Sequence, residues 1–254
     1  MSTTSKQVES TTKTLPRYIS TAEALRAFSS YEDEAIRVNF TRADKSYANG
    51  IRYLSIEIHL PEYDDWIPLT IIHDFQCIAT PVYERAKYPG ARIPFIDAQF
   101  VELLQNIEKS INAQFANCTS KFISSKIRKD GVRMNFLQCT TKEDVMLADP
   151  VIRVNLPFQK IGDTIQPAAI CKARLIEDRT STTFTYEQCN SRFKAGSVIR
   201  SVTDLATIII CAHGAMLHCD CKMIMITGFN APQAKKSDEP DEVDIEAMSE
   251  MNLS

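Results

Sequence analysis

Apolar and polar residues alternate along much of the chain. Between Ile51 and Leu60, the even-numbered residues from Leu54 onward are aliphatic, and the odd-numbered ones from Tyr53 to His59 are polar or aromatic. A period of two predicts a half-buried β-strand. The same reasoning predicts further strands at 35–40, 66–73, 75–80, 151–156, 168–176, 182–189, 207–212 and 216–227.

A helical period appears in one long segment. Asp97 is placed to cap it, and its apolar residues recur at spacings of three and four: Phe100, Leu103, Leu104, Ile107, Ile111 and Phe115. We therefore predict one long helix at about 97–118, packed by one face on a sheet. Ser20 and Glu23 have the spacing of a capping box, which predicts a short helix ending near Phe28.

A turn signal, Lys129-Asp130-Gly131, lies between two segments at 122–128 and 132–139. It predicts the turn of a β-hairpin. Because strands outnumber helices in this interpretation, the expected fold class is α+β, mainly β. An antiparallel sheet with the long helix packed against it is the simplest arrangement.

The composition is that of an ordinary globular protein. The chain has 254 residues and 28.6 kDa, of which 44% are apolar and 24% charged. This length supports one sizeable core. We expect a flexible arm at 1–15, a single globular domain at 16–229 and a disordered acidic tail at 230–254.

The compartment is expected to be reducing and intracellular. The first sixteen residues lack the apolar core of a secretory signal, and the longest apolar run, 207–217, is broken by His213 and too short to span a bilayer. The eight cysteines are therefore interpreted as free and mostly buried thiols.

The net charge of −3 conceals a separation of charge along the chain. Residues 238–254 contain seven acids and no base, so 1–237 holds 29 basic against 25 acidic residues, a body of about +4 and a tail of −7. A mildly basic body with an acidic tail indicates a polyanion as the body's partner and a different partner for the tail.

Motifs of the commoner enzyme classes are missing. The seven glycines lie more than ten residues apart, so the sequence contains neither a Walker loop nor a dinucleotide-binding fingerprint. His59, Asp64, Asp65, His73 and Asp74 suggest a hydrolytic site only by residue type. We expect no catalysis and no cofactor.

One cluster has metal-ligating residue types: Cys211, His213, His218, Cys219 and Cys221. Zinc sites usually use Cys-x-x-Cys spacing, whereas Cys-x-Cys in a strand points both thiols to one face. The favoured interpretation is one apolar stripe formed by Cys219, Cys221, Met223 and Met225. A zinc-dependent enzyme is the weaker alternative.

A basic segment carries the strongest sign of a function. Its cations lie beside two phenylalanines, and the set comprises Lys121, Phe122, Lys126, Arg128, Lys129, Arg133 and Phe136. Cations that follow a phosphate backbone, with aromatic faces that stack on bases, are typical of single-strand binding. Arg153, Lys172 and Arg174 in neighbouring strands extend the set, and Tyr53 is a further stacking candidate. A merely solubilising polar face explains the same segment and stays open.

Several short motifs resemble the single-stranded-DNA-binding-like proteins of large nucleocytoplasmic DNA viruses. They are the segment 149–158 with Arg153 and a Leu-Pro ending, the turn at 193–197, the isoleucines at 208–210, Gly214, and the strand at 222–226. The resemblance implies an OB-like fold that coats single-stranded DNA during viral DNA replication without catalysis. It also implies that the acidic tail recruits replication proteins and competes with DNA, with Met248, Met251 and Leu253 as apolar anchors.

The sequence thus favours a non-catalytic single-stranded DNA-binding protein of the viral replication site or host cytoplasm, and self-association is a further expectation. The alternative is a viral structural or scaffold protein that binds other proteins and not DNA.

Overall fold

Two curled β-sheets share one hydrophobic core in the computed structural model of the protein. The structure describes residues 18–41, 50–63, 65–79, 82–84, 90–141, 143–167, 172–177, 180–182, 193–212 and 214–229. The predicted arm at 1–15 and acidic tail at 230–254 lie outside these residues. Within the described ranges, no helix combines the length and apolar character needed to cross a membrane.

Within the described ranges, the larger sheet contains eleven strands. In chain order they are β1 (Ile19–Ser20), β5 (Thr70–Gln76), β6 (Val82–Glu84), β7 (Gly90–Phe95), β9 (Leu137–Thr140), β10 (Met146–Ile161), β11 (Thr164–Pro167), β12 (Lys172–Glu177), β13 (Thr180–Thr182), β14 (Ser197–Asp204) and β17 (Asp220–Phe229). The order along the main path is β1-β5-β14-β17-β10-β7-β6. Strand β10 is antiparallel to β7, β9 and β11, and it meets β17 through one parallel pair, Asn155 opposite Asp220.

Six strands of the described residues form the smaller sheet: β2 (Ile36–Asn39), β3 (Arg52–His59), β4 (Trp66–Pro68), β8 (Val132–Arg133), β15 (Thr207–Cys211) and β16 (Gly214–Leu217). Their order is β2-β3-β15-β16-β8, with β4 beside β3. The predicted alternation of β3 is confirmed, because Leu54, Ile56 and Ile58 are buried while the residues between them face outward.

The chain passes between the two sheets at hydrogen-bonded crossing points. Leu69 joins β4 of the smaller sheet to β5 of the larger one, and Leu205 with Ala206 joins β14 to β15. The Leu205 amide donates to the Leu69 carbonyl at 3.0 Å, and the Leu69 amide donates to the Ile56 carbonyl at 3.2 Å. These bonds satisfy backbone groups that a buried crossing would otherwise leave unpaired.

The described part of the chain also forms three α-helices: α1 (Thr21–Tyr31), α2 (Ala98–Ala116) and α3 (Ser125–Asp130). The α1 capping box forms as predicted, and the long predicted helix is α2, which Asp97 caps by accepting a hydrogen bond from the Phe100 amide. All six of the periodic apolar residues of α2 are buried. Gln114 fixes α2 to β2 by donating to the Ile36 carbonyl and accepting from the Val38 amide.

The predicted α+β, mainly β fold with OB-like curvature and one long packed helix is confirmed. The predicted hairpin at Lys129–Gly131 is wrong, because Ser124 caps helix α3 and Gly131 ends it with a φ of 73°. The strands expected at 66–73 and 75–80 were separated at residue 74. In the structure the separation lies at Leu69, between β4 and β5. The strand expected at 216–227 is two strands, β16 and β17, which lie in different sheets.

A β-bulge in the pairing of β17 with β14 corrects the predicted stripe of sulfur-containing residues. Cys221 lies opposite Thr203, but Met223 lies opposite Val202, so Lys222 is the extra residue. The bulge shifts the alternation, and the buried residues become Cys219, Cys221 and Ile224. Met223 and Met225 are only half-buried.

Candidate nucleic-acid interface

Four side chains form a row across the outer face of the smaller sheet. Tyr53 of β3 lies opposite Ile209 of β15, Ile209 lies opposite Met216 of β16, and Met216 lies opposite Arg133 of β8. Directly opposed residues point to the same face of a sheet. Tyr53 is 39% exposed, Arg133 is exposed, and the two residues between them are half-buried. We call these four residues the cross-sheet row.

A cleft opens beside Met216, the third residue of this row. Its volume is about 180 Å³. The residues that line it are Arg92, Asn135, Phe136, Arg153, Asn155, Met216, Leu217, His218, Cys219 and Asp220. We call it the arginine cleft. Met216 belongs to both features, so the row and the cleft form one continuous surface.

Strand β10 positions the cationic side of the cleft. Its alternation buries Ile152, Val154 and Leu156 completely and turns Arg153 and Asn155 to the other face. Arg92 of β7 lies directly opposite Asn155, so both arginines share that face. The Arg153 amide also donates to the Phe136 carbonyl at 2.8 Å, which holds the aromatic residue against the cleft.

The two arginines repel one another. Burial, together with the nearby charge of Arg92, lowers the pKa of Arg153 from its ordinary value. Like charges held together in a half-buried position cost free energy, and an anion placed between them removes that cost. This side of the cleft is therefore suited to phosphate.

A carboxylate marks the opposite side. Asp220 accepts a hydrogen bond from Asn155 Nδ2 at Oδ1, 2.8 Å away, and its Oδ2 lies 3.2 Å from His218 Nδ1. Burial opposes ionisation of Asp220, but the hydrogen bonds from His218 and Asn155, together with the charges of His218 and Lys222, outweigh it and hold the pKa of the carboxyl below its ordinary value. Asp220 is therefore charged at neutral pH.

The aromatic residues at the far end of β3 extend the same outer face. His59 stacks on Trp66 with ring centroids 5.2 Å apart and on Tyr31 at 4.7 Å. Arg37 covers the Trp66 ring at 4.4 Å and forms an ion pair with Glu57 at 2.7 Å. These groups already cover one another, and a carboxylate lies among them, so this end is less suited to a polyanion than the cross-sheet row.

The structure brings together four of the residues predicted from the sequence. Tyr53 and Arg133 are the ends of the cross-sheet row, and Phe136 and Arg153 line the arginine cleft. Phe136 is only 9% exposed, so it contributes a wall and not an open stacking face.

The remaining predicted residues lie elsewhere. Lys126 and Lys129 are exposed on α3, whereas Arg128 is bound to the Ser120 and Ile123 carbonyls at 2.8–3.1 Å and fixes the preceding loop. Lys121 lies over the Phe122 ring at 5.2 Å, and Arg52 lies over the same ring at 4.7 Å. Lys172 and Arg174 are in β12, with side chains outside the described part of the structure.

Sequence reasoning missed several cleft and row residues, namely Arg92, Asn155, Ile209, Met216, His218 and Asp220 as binding groups. A signal for Arg92 was present, because Ala91, Ile93 and Phe95 alternate with it as in a half-buried strand. The pairing of Arg92 with Asn155 joins residues far apart in the chain, and no local pattern specifies it.

The hypothetical hydrolytic and metal sites do not assemble among the residues that the structure describes. His73 is buried between β5 and α2, stacked on Phe100 at 4.4 Å, while Asp74 is exposed and forms two hydrogen bonds with Arg200 at 2.7 Å. Within the described ranges, which do not include Asp64 and His213, no three His, Cys, Asp or Glu side chains could hold a metal ion together. Burial raises the pKa of Cys219 well above its ordinary value, as expected of a core thiol.

A larger cleft, about 660 Å³, lies between β2 and α2. Two carboxylates line it, Asp33 and Glu34, and Asp33 is paired with Lys109 at 3.1 Å. Its lining residues include no lysine or arginine. It is therefore poorly suited to a polyanion.

Comparisons with known proteins found distant structural likenesses only. No protein-family model matches the chain, and no curated protein sequence matches it significantly. The single-stranded DNA-binding protein from bacteriophage Enc34, solved in complex with ssDNA, is 10% identical at a TM-score of 0.38, over 74% of this chain and 91% of that one. The single-stranded DNA-binding protein gp2.5 encoded by bacteriophage T7 is 8% identical at a TM-score of 0.38, over 67% and 98%. Likenesses this weak carry no argument about the chain, and they do not group it with large nucleocytoplasmic DNA viruses.

Proposed function

We propose that the protein binds single-stranded DNA, without catalysing a reaction, along the cross-sheet row and into the arginine cleft. The observation that supports this most directly is the continuity of the two features. An exposed tyrosine, two half-buried apolar side chains and an arginine line up across four strands, and one of them, Met216, also lines the cleft that holds two further arginines. Exposed stacking groups combined with cations are the two components of sequence-tolerant single-strand recognition.

The row favours unpaired bases over a duplex. The row crosses three gaps between adjacent strands, and each gap is about 4.8 Å, so the row is roughly 14 Å long. Base faces are available for stacking on Tyr53 and for packing on Ile209 and Met216 only when a strand is unpaired. Stacking on one aromatic side chain contributes about 1–3 kcal/mol per base.

The cations supply the second component. Arg133 is exposed at one end of the row, and Arg92 and Arg153 add two cations in the cleft. Phosphate contacts of this kind release counterions, so affinity falls steeply as salt increases.

We further propose that the acidic tail regulates this surface. Residues 238–254 carry −7 and the rest of the chain about +4, so the tail can occupy the arginine cleft in competition with DNA. When DNA displaces the tail, Met248, Met251 and Leu253 become available to replication proteins. In this proposal the protein acts inside the cell at the site of viral DNA replication, where self-association along DNA would assist coating.

Fluorescence anisotropy of a labelled dT15 oligonucleotide tests the proposal. Full-length protein and a version ending at Lys236 are titrated at low and high salt, with duplex DNA as competitor and a labelled U15 oligoribonucleotide in parallel. We expect salt-sensitive binding that duplex displaces poorly and that the shorter version strengthens. If neither version binds at micromolar protein, the proposal fails and the protein-binding structural or scaffold alternative takes its place.

A further inference from the structure

We infer that the arginine cleft accepts one base of the bound strand and prefers guanine. This inference rests on the proposed function and names a base preference at the same site. The starting point is Asp220, since a cleft that served phosphate alone would not hold a charged carboxylate. A site with cations at one side and a carboxylate at the other is suited to a ligand with acceptors on one edge and donors on another.

The strand register sets the dimensions of the cleft. Arg92, Asn155 and Asp220 lie directly opposite one another on β7, β10 and β17. Two steps between adjacent strands place the backbones of Arg92 and Asp220 roughly 10 Å apart, with Asn155 between them. The space of about 180 Å³ corresponds to about six water molecules at roughly 30 Å³ each. A single planar ring system fits this space, and a longer stretch of strand does not.

The two sides differ in their hydrogen-bonding character. Arg92 and Arg153 offer only donors. Asp220 offers only acceptors, and its hydrogen bonds with Asn155 and His218 occupy one position on each oxygen. A carboxylate accepts at about four lone-pair positions, so Asp220 retains capacity for two more donors.

Guanine matches both sides better than the other bases. Its N7 and O6 acceptors are the commonest partners of arginine in base recognition. Its N1–H and N2 amino donors are adjacent, as a carboxylate requires for a two-point contact. Adenine and cytosine each place a ring acceptor beside their amino group, which the carboxylate repels, and thymine has one N–H donor. Phe136 and Met216, which line the cleft, add apolar contact for the ring.

The test measures base preference separately from binding itself. The affinity of dT15 is compared with that of the same oligonucleotide carrying one central dG, one central dA, or one central deoxyinosine, which lacks the N2 amino group. A good two-point contact with a base is worth about fivefold or more in affinity. We expect the dG oligonucleotide to bind at least fivefold more tightly than dT15 and dA, and deoxyinosine to lose most of that gain.

Two variants link the preference to its residues. Asp220→Asn replaces one acceptor oxygen with a donor, so it should bring the dG and dT15 affinities to the same value. Arg133→Gln lies outside the cleft and should weaken all oligonucleotides by the same factor. The inosine comparison needs no protein variant, so it remains decisive if Asp220→Asn fails to fold.

The possible failures are distinguishable. Equal affinity for dG and dT15, or a dG preference that deoxyinosine retains in full, overturns the guanine inference while single-strand binding stands. Absence of binding to every oligonucleotide overturns the proposed function itself.

Discussion

Arg153 combines a contribution to binding with a cost to stability in one side chain. It projects from a strand whose neighbouring residues are fully buried, it lies beside a second arginine, and its pKa is lowered by burial and by that arginine. In the protein alone this arrangement costs free energy, and in a complex with an anion it is favourable. A residue of this kind contributes to binding at the expense of stability.

Replacing Arg153 with glutamine should therefore separate the two properties. Affinity for dT15 should fall about tenfold, and the slope of log K against log salt should become shallower by about 0.7 for one lost phosphate contact. The midpoint of urea unfolding should stay the same or rise, because the repulsion with Arg92 disappears. Arg200→Gln makes the same change in net charge, but Arg200 is paired with Asp74 in the larger sheet, so it should leave affinity unchanged. Equal losses of affinity in the two variants would assign the effect to net charge and not to the cleft.

Tyr53 should contribute through its ring and not through charge. Tyr53→Ala should lower the affinity for dT15 by a factor between about five and one hundred, as expected for one stacked base. The salt dependence should be unchanged, and Tyr53→Phe should retain most of the affinity. Tyr18 is also 39% exposed but precedes β1 of the larger sheet, which makes Tyr18→Ala a matched control. Similar losses for Tyr53→Ala and Tyr18→Ala would show that the row has no special role.

At the scale of elements, the helix α3 shows how one local signal supports two structures. Lys129-Asp130-Gly131 satisfies the rules for a hairpin turn, but the same glycine is suited to end a helix. Ser124 decides the outcome by accepting a hydrogen bond from the Ile127 amide at 3.2 Å, and burial of Ile127 holds the helical turn in place. Arg128 then binds carbonyls of the preceding loop through Nε and Nη2, so its guanidinium is directed towards that loop.

Gly131 should be intolerant of substitution for two reasons that a matched variant separates. Its φ of 73° disfavours a side chain, and a Cβ there would lie 2.6 Å from Asn112 Oδ1, the acceptor of the Val132 amide. Gly131→Ala should lower the free energy of unfolding by about 2–4 kcal/mol. Gly50 has a φ of 75° and open space within 4 Å of the position that a Cβ would take, so Gly50→Ala should cost only about 1 kcal/mol. Urea unfolding of both variants measures the difference, and equal costs would mean that the Asn112 contact is unimportant.

Elements with a strong hydrophobic periodicity could be predicted from the sequence, but the strands that pair with them could not. Strand β3 and helix α2 follow from local patterns of burial, and Tyr53 is predictable because it lies on the polar face of β3. The cleft depends on which strands meet at β10, and pairs such as Arg92 with Asn155 are specified by the tertiary fold. The bulge at Lys222 and the division of β16 from β17 arise because the chain changes sheets there, which periodicity does not report.

At the scale of the whole molecule, buried polar groups connect the larger sheet to α2. His73 Nε2 lies 3.0 Å from Thr203 Oγ1, which lies 3.0 Å from Ser201 Oγ, and the imidazole stacks on Phe100 of α2. Burial lowers the pKa of His73 to about 4, and its Nδ1 has no hydrogen-bond partner among the described residues. The core therefore holds this histidine in its neutral form.

The stability of the protein should consequently depend on pH. Because the pKa of His73 is about 4 in the folded chain against 6.5 as its reference, the unfolded chain binds more protons between these values. The free energy of unfolding should therefore fall as pH decreases from about 6.5 to about 4, by up to roughly 3 kcal/mol. Asp74 also has a lowered pKa, but its contribution is lost only below its reference of 3.8.

Urea unfolding at pH 7, 5.5 and 4.5 measures this dependence. His73→Gln should flatten it, because the substitution removes the buried imidazole. A slope that persists in His73→Gln would assign the dependence to other groups.

Strand β10 has a consequence for how this surface can change over evolutionary time. Its even-numbered residues from Ile152 to Leu156 are fully buried, while Arg153 and Asn155 between them belong to the cleft. On this strand, residues that stabilise the core therefore alternate with residues that line the ligand cleft. Substitutions at 153 and 155 can change which ligand is bound while the core residues stay the same. Related chains should therefore differ in ligand specificity before they differ in fold. The same two positions could be used to redesign the ligand preference of the cleft.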